Sequence, residues 1–189
     1  LGVTPQATLA DDCYDKLRKD PKCFGLIEQP KPKPFDPITN ISIFGLTFCH
    51  KGQIVYMAWP YPIPGEKPKD AKWRADPCFM ECVRIHELYH RDMLQLCCPG
   101  ICACNKDAIF DIGYFNNEAK HFWECPAMLA TFKCLEKFLN QPGGPKIGVI
   151  RCDKTVIFDA MNVVAGQIFQ DCGGLKPTDP LPAKPKCHN

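Results

Sequence analysis

Fourteen cysteines punctuate this chain of 189 residues, and they restrict its folding more than any other feature. An even count at that density, spread from Cys13 to Cys187, suits up to seven disulfides formed in an oxidising compartment. The chain starts at Leu1 and shows no basic segment followed by an apolar run. A mature secreted protein, extracellular or periplasmic, is therefore expected, its signal peptide already removed. Hydrophobic residues make up 46% and charged residues 23%, with a formal charge of +2. That balance excludes a disordered chain and gives no electrostatic footprint for nucleic acid. No apolar run approaches the ~18 residues of a membrane span. The best candidate, 41–49, is short and carries Gly45 and Thr47.

Along the chain, 11–19 reads as a short helix ending before Asp20-Pro21. The proline-spaced stretch 29–37 and the tail 176–189 read as extended arms, the tail pinned through Cys187. A hairpin is expected from strands at 41–48 and 54–59, with its turn in 50–53. Asp76 is a good helix cap, Pro77 suits a first helical position, and 78–96 then runs free of Gly and Pro until Pro99-Gly100. A second long helix is expected from Asn116 or Asn117 to Asn140, with Pro126 kinking or restarting it, and a third over 155–170. The cysteines of 97–104 read as oxidised loop staples. The whole 1–189 is read as one disulfide-rich domain.

The first long helix carries His86-Glu87-Leu88-Tyr89-His90, an HExxH motif. Histidines at i and i+4 lie one turn apart on one face, so both imidazoles can reach a single zinc ion. The intervening Glu87 sits beside them, where it can take a proton from an activated water.

On this motif the chain resembles the zincin metallopeptidases. In their gluzincin branch the third ligand is a Glu on a downstream helix, and Asn117-Glu118-Ala119 is similar to the stretch that supplies it in thermolysin-like enzymes. The resemblance thus implies Zn²⁺ held by His86, His90 and Glu118, with Glu87 as general base. Asp111 and His121 are the second and third choices for that ligand. The family's Asp four residues after the Glu is replaced here by Phe122, which leaves Asp92 or Asp111 to orient a histidine. Met93 and Leu96 stand where a metzincin has Gly and its third His. Tyr114 and His121 are the candidate oxyanion donors. Cys82, Cys125, Cys134 and the pair Cys134-Leu135 add a looser likeness to small secreted bacterial HExxH domains, and suggest that the two helices are stapled together.

The expected fold is α+β, a hairpin or small sheet packed on the HExxH helix, with a disulfide-stapled helical lower half. The expected function is secreted, zinc-dependent hydrolysis of peptide bonds in peptide or protein substrates, with 54–59 as the strand offered to substrate. Two other readings stand beside it. One is an extracellular assembly or binding protein on a zincin-like scaffold, self-associating through the Pro-rich arms. The other is a di-metal carboxylate site built from Glu87-x-x-His90 and Glu118-x-x-His121.

Overall fold

The computed structural model describes residues 9–23, 25, 44–104, 109–110, 117–173, 175–180 and 187. Helix α1 (Leu9–Lys19) is followed by a single 3₁₀ turn at Pro21–Cys23. Strands β1 (Gly45–His50) and β2 (Gln53–Ala58) form the expected hairpin, in the register Phe48 opposite Val55 and His50 opposite Gln53. Its two-residue turn, Lys51-Gly52, has positive φ at both positions, 49° and 78°. That geometry twists the way the strands twist, and it favours Gly at the second position. Helices α2 (Pro68–Ala75), α3 (Pro77–Cys97) and the short α4 (Ile101–Cys104) come next. Strand β3 (Ile109–Phe110) then pairs with β1 on the side away from β2, so the sheet order is β2-β1-β3. Helix α5 (Asn117–Leu139), the small hairpin β4 (Lys146–Ile147) and β5 (Ile150–Arg151), and helix α6 (Lys154–Asp171) complete the order. The class is α+β, with the sheet against α3 and a helical half of α3, α5 and α6.

The start of α3 shows why the sequence folds as it does. Asp76 Oδ1 accepts from Phe79 N at 2.8 Å, capping α3, while its Oδ2 accepts from Asp153 N at 2.7 Å. Asp153 in turn caps α6 through Thr155 N at 2.8 Å. One buried carboxylate therefore starts one helix and fixes the entry of another, and the disulfide Cys78–Cys152 locks the same junction. Pro126 lies inside α5, which continues past it as one helix.

All fourteen cysteines are paired. Cys82–Cys134 staples α3 to α5, and Cys125–Cys172 ties α5 to the end of α6. Cys13–Cys104, Cys23–Cys98, Cys49–Cys102 and Cys97–Cys187 converge on the segment 97–104. The tail is thus pinned through Cys187 as expected, but 176–180 is a turn rather than an extended arm, closed by Asp179 N on Lys176 O at 2.9 Å. The arm at 29–37 lies outside the described residues, as does the part of the first expected strand before Phe44. Among the described residues no helix is long and apolar enough to cross a membrane.

Candidate metal centre

Helices α3 and α5 run antiparallel, with their register set by the Cys82–Cys134 bond. On α3 the face continues from Cys82 to His86 and His90; on α5 it continues backwards from Cys134 to Thr131, Ala127 and Glu124. Ala127 and Ala130 are buried and small, which lets α5 approach closely. The two helices thereby bring three side chains together. His86 Nε2 and His90 Nε2 lie 2.9 Å apart, and Glu124 Oε2 is 3.4 Å from the first and 3.6 Å from the second. Donors about 2.0–2.2 Å from a shared tetrahedral centre lie about 3.3–3.6 Å from one another. Both Glu124 distances meet that spacing, while the two Nε2 atoms stand closer and would part slightly to share one zinc ion, with a fourth position left over.

The proton arrangement supports ligation. Thr131 Oγ1 donates its single hydrogen to Ala127 O at 2.8 Å, so it can only accept from His86 Nδ1, 3.0 Å away. A proton on Nδ1 leaves the Nε2 lone pair of neutral His86 facing the cluster, and Thr131 thereby orients the imidazole as the acceptors behind metal-bound histidines do. Glu124 Oε2 is buried and makes no hydrogen bond of normal geometry among the described residues, its nearest donors being the two imidazoles at 3.4 and 3.6 Å. A buried anionic oxygen with only such long contacts is costly, and a cation at the cluster relieves it.

Electrostatics favour a cation at this place, whether a proton on His86 or a metal ion that displaces it. Burial works against a charged His86, but the Glu124 carboxylate, aided by the charge of Glu87, outweighs it and raises the imidazole above its ordinary value. Burial likewise disfavours the Glu124 anion, yet the two histidines overcome it and hold this carboxyl well below the usual carboxylate range. Glu124 is therefore ionised at any physiological pH, as a metal ligand must be.

Glu87 is only 8% exposed and lies against β1. Thr47 Oγ1 is 2.8 Å from its Oε2 and 3.0 Å from its main-chain oxygen. A cavity of about 370 Å³ adjoins the cluster. Its floor is His86, Glu87, His90 and Glu124; its walls are largely apolar, with Leu46 from β1, Trp73 from α2, Trp123 and Met128 from α5, and Val163 and Val164 from α6. Gln167 supplies an amide at the rim.

Of the residues singled out by sequence, His86, His90 and Glu87 come together here. Glu118 lies in α5 six residues before Glu124, about 9 Å further along the axis, and its side chain is outside the described part. The carboxylate found with the histidines is that of Glu124, which sequence reasoning did not rank. His121 is exposed and not in the cluster, so the second Glu-x-x-His pair is not joined to the first. Asp92 is exposed and ion-paired to Arg91; the partner of His86 is Thr131. Tyr114 and Asp111 lie outside the described residues. The cavity is lined by β1 rather than by the second strand, 54–59, expected to face substrate.

A second group of possible ligands, Asp76 with Cys78 and Cys152, is explained without metal, since the cysteines are bonded to each other and Asp76 is a helix cap. Comparisons of the chain with protein-family models, with curated proteins and with solved structures give no match.

Proposed function

We propose that this chain is a zinc-dependent peptidase acting outside the cell, with His86, His90 and Glu124 as the residues that would hold the metal. The observation that carries this reading is the convergence of two imidazole Nε2 atoms on a buried carboxylate oxygen that makes no hydrogen bond of normal geometry among the described residues, next to a second carboxylate lining the same cavity. Zinc bound there supplies Lewis acidity, which activates water and polarises a carbonyl. The chain's own residues do the rest. Thr131 fixes the tautomer of His86. Glu87, engaged through Oε2 by Thr47, takes the water's proton and passes it to the leaving amine, the general acid–base role. The apolar walls suit a peptide that offers a large apolar side chain beside the scissile bond. The seven disulfides support an oxidising, extracellular setting.

Glu87→Gln tests this reading. The variant is expected to keep stoichiometric zinc and the parent's melting behaviour, while cleavage of a peptide library falls by ~10²-fold or more. A variant that cleaves as fast as its parent, or a zinc-loaded parent that cleaves nothing, contradicts it.

A further inference from the structure

We infer that strand β1 positions the base: Gly45 and Thr47, two residues apart and therefore on one face of the strand, together fix the Glu87 carboxylate. Neither is a catalytic residue. The inference rests on the peptidase reading above and adds the element that gives Glu87 a single orientation.

Gly45 acts through the side chain it lacks. A Cβ built there would fall 2.6 Å from Glu87 Cγ, 2.9 Å from its Oε1 and 2.8 Å from Val83 Cγ1. All three distances are shorter than real contacts allow. Val83 is β-branched and stiff on its helix, so Glu87 is the side chain that must yield. The strand backbone can therefore lie on the base only because position 45 has no side chain. Thr47 acts through its hydroxyl, which reaches Glu87 Oε2 at 2.8 Å and the same residue's main-chain oxygen at 3.0 Å. With one hydrogen for two acceptors, the hydroxyl donates to the carboxylate when Glu87 is ionised, and to the main-chain oxygen when the protonated acid donates to it. It therefore suits both protonation states of the base.

The cradle is itself held rigid. Thr47 is 4% exposed and sits in the central strand, opposite Tyr56 of β2 and Phe110 of β3. Gly45 lies opposite Ala58, and Trp59 N donates to Phe44 O at 2.8 Å, extending the ladder past the glycine. A flexible glutamate is thus gripped on one side by backbone and on the other by a buried hydroxyl. A base must be oriented before it reacts, and misplacement by about 1 Å can cost ~10²-fold in rate.

The test is a set of three double-mutant cycles on the full, disulfide-intact chain. Thr47→Val, Thr47→Ser and Gly45→Ala are each made in the parent and in a Glu87→Ala background. Zinc affinity, melting temperature and peptide-cleavage kinetics are read for all of them. In the parent background, Thr47→Val and Gly45→Ala are expected to lower kcat by about 10- to 100-fold. KM and zinc affinity should stay within about twofold, and Thr47→Ser should restore most of the rate. In Glu87→Ala, neither change should lower the residual rate further. Gly45→Ala should also lose part of its melting penalty there, since its collisions with Glu87 have gone while the one with Val83 Cγ1 remains. Full kcat in Thr47→Val overturns the inference, as do penalties of equal size in both backgrounds. A zinc-loaded parent that cleaves no peptide refutes the peptidase reading instead, and the melting-temperature cycles still decide whether β1 grips Glu87.

Discussion

The two ends of α3 are held by different means. Around its C-terminal end, four of the seven disulfides meet within 97–104, joining it to α1, to the 3₁₀ turn, to β1 and to Cys187. The partners there are short: α1 has 11 residues and α4 has 4. Helices of that length are marginal in water, so the cross-links reinforce a core of Ile54, Met93, Leu94, Ile101 and Trp123 that is itself interleaved with cystines. Around the N-terminal two-thirds of α3 the balance reverses. Helices of 21, 23 and 18 residues pack through Phe79, Val83, Leu135, Val156 and Ile157. The disulfides there chiefly set register and anchor helix ends. The metal cluster and its cavity lie in this second region. A ligand set built from two helices needs a fixed register more than it needs a knot of covalent bonds.

Removing one bond from each region sharpens that contrast. Replacing Cys82 and Cys134 by Ala, or Cys13 and Cys104 by Ala, should each cost about 2–5 kcal/mol of stability by chemical denaturation. The first change should also weaken zinc binding, because it frees α5 to slide against α3; the second should leave zinc affinity at the parent's value. Equal zinc affinities in the two variants would show that packing alone holds the register.

A smaller effect is expected from Thr131→Val, which keeps the shape of the side chain and removes the acceptor for His86 Nδ1. Loss of such a partner typically lowers metal affinity by about 10–100-fold. Competition with a chelator of known affinity measures it, and an unchanged constant would remove Thr131 from the site.

The smallest effect is the pH dependence. In the metal-free protein the raised His86 value contributes stability that is complete below the ordinary imidazole range and lost as pH rises through the folded value. Glu124, with its lowered value, contributes stability present above the ordinary carboxylate range and lost as pH falls through the folded value. Zinc requires His86 neutral, so affinity should fall by about tenfold per pH unit below the raised His86 value, one proton being released on binding. Glu124 should add no proton across the neutral range. Calorimetry in buffers of different ionisation enthalpy counts the protons.

Local signals carried much of this in the sequence. Asp76-Pro77 marks the start of α3, Lys51-Gly52 lies inside the expected turn, and the HExxH spacing alone puts His86 and His90 on one face. The missing parts depend on contacts distant in sequence. Strand β3 is two residues long and is defined by pairing with β1. Helix α2 is polar, with no side-chain cap, and only Pro68 at its start marks it. Glu124 was hidden because a motif likeness drew attention to Asn117-Glu118-Ala119. The spacing Glu124, Ala127, Thr131, Cys134 places the glutamate on the stapled face of α5, but only the Cys82–Cys134 pairing says which part of α3 that face meets. Fourteen cysteines allow too many pairings for their sequence positions to supply it.

The choice between those two glutamates is also the most direct test of the metal centre. Zinc dissociation constants are measured for the parent, Glu124→Gln and Glu118→Gln, each with its disulfides and melting behaviour verified. The geometry predicts that Glu124→Gln weakens zinc by at least ~100-fold, the upper end of what loss of a mere supporting partner costs. Glu118→Gln should bind as the parent does. Parent-like affinity in Glu124→Gln, with the loss falling on Glu118→Gln, would contradict the centre described for His86, His90 and Glu124.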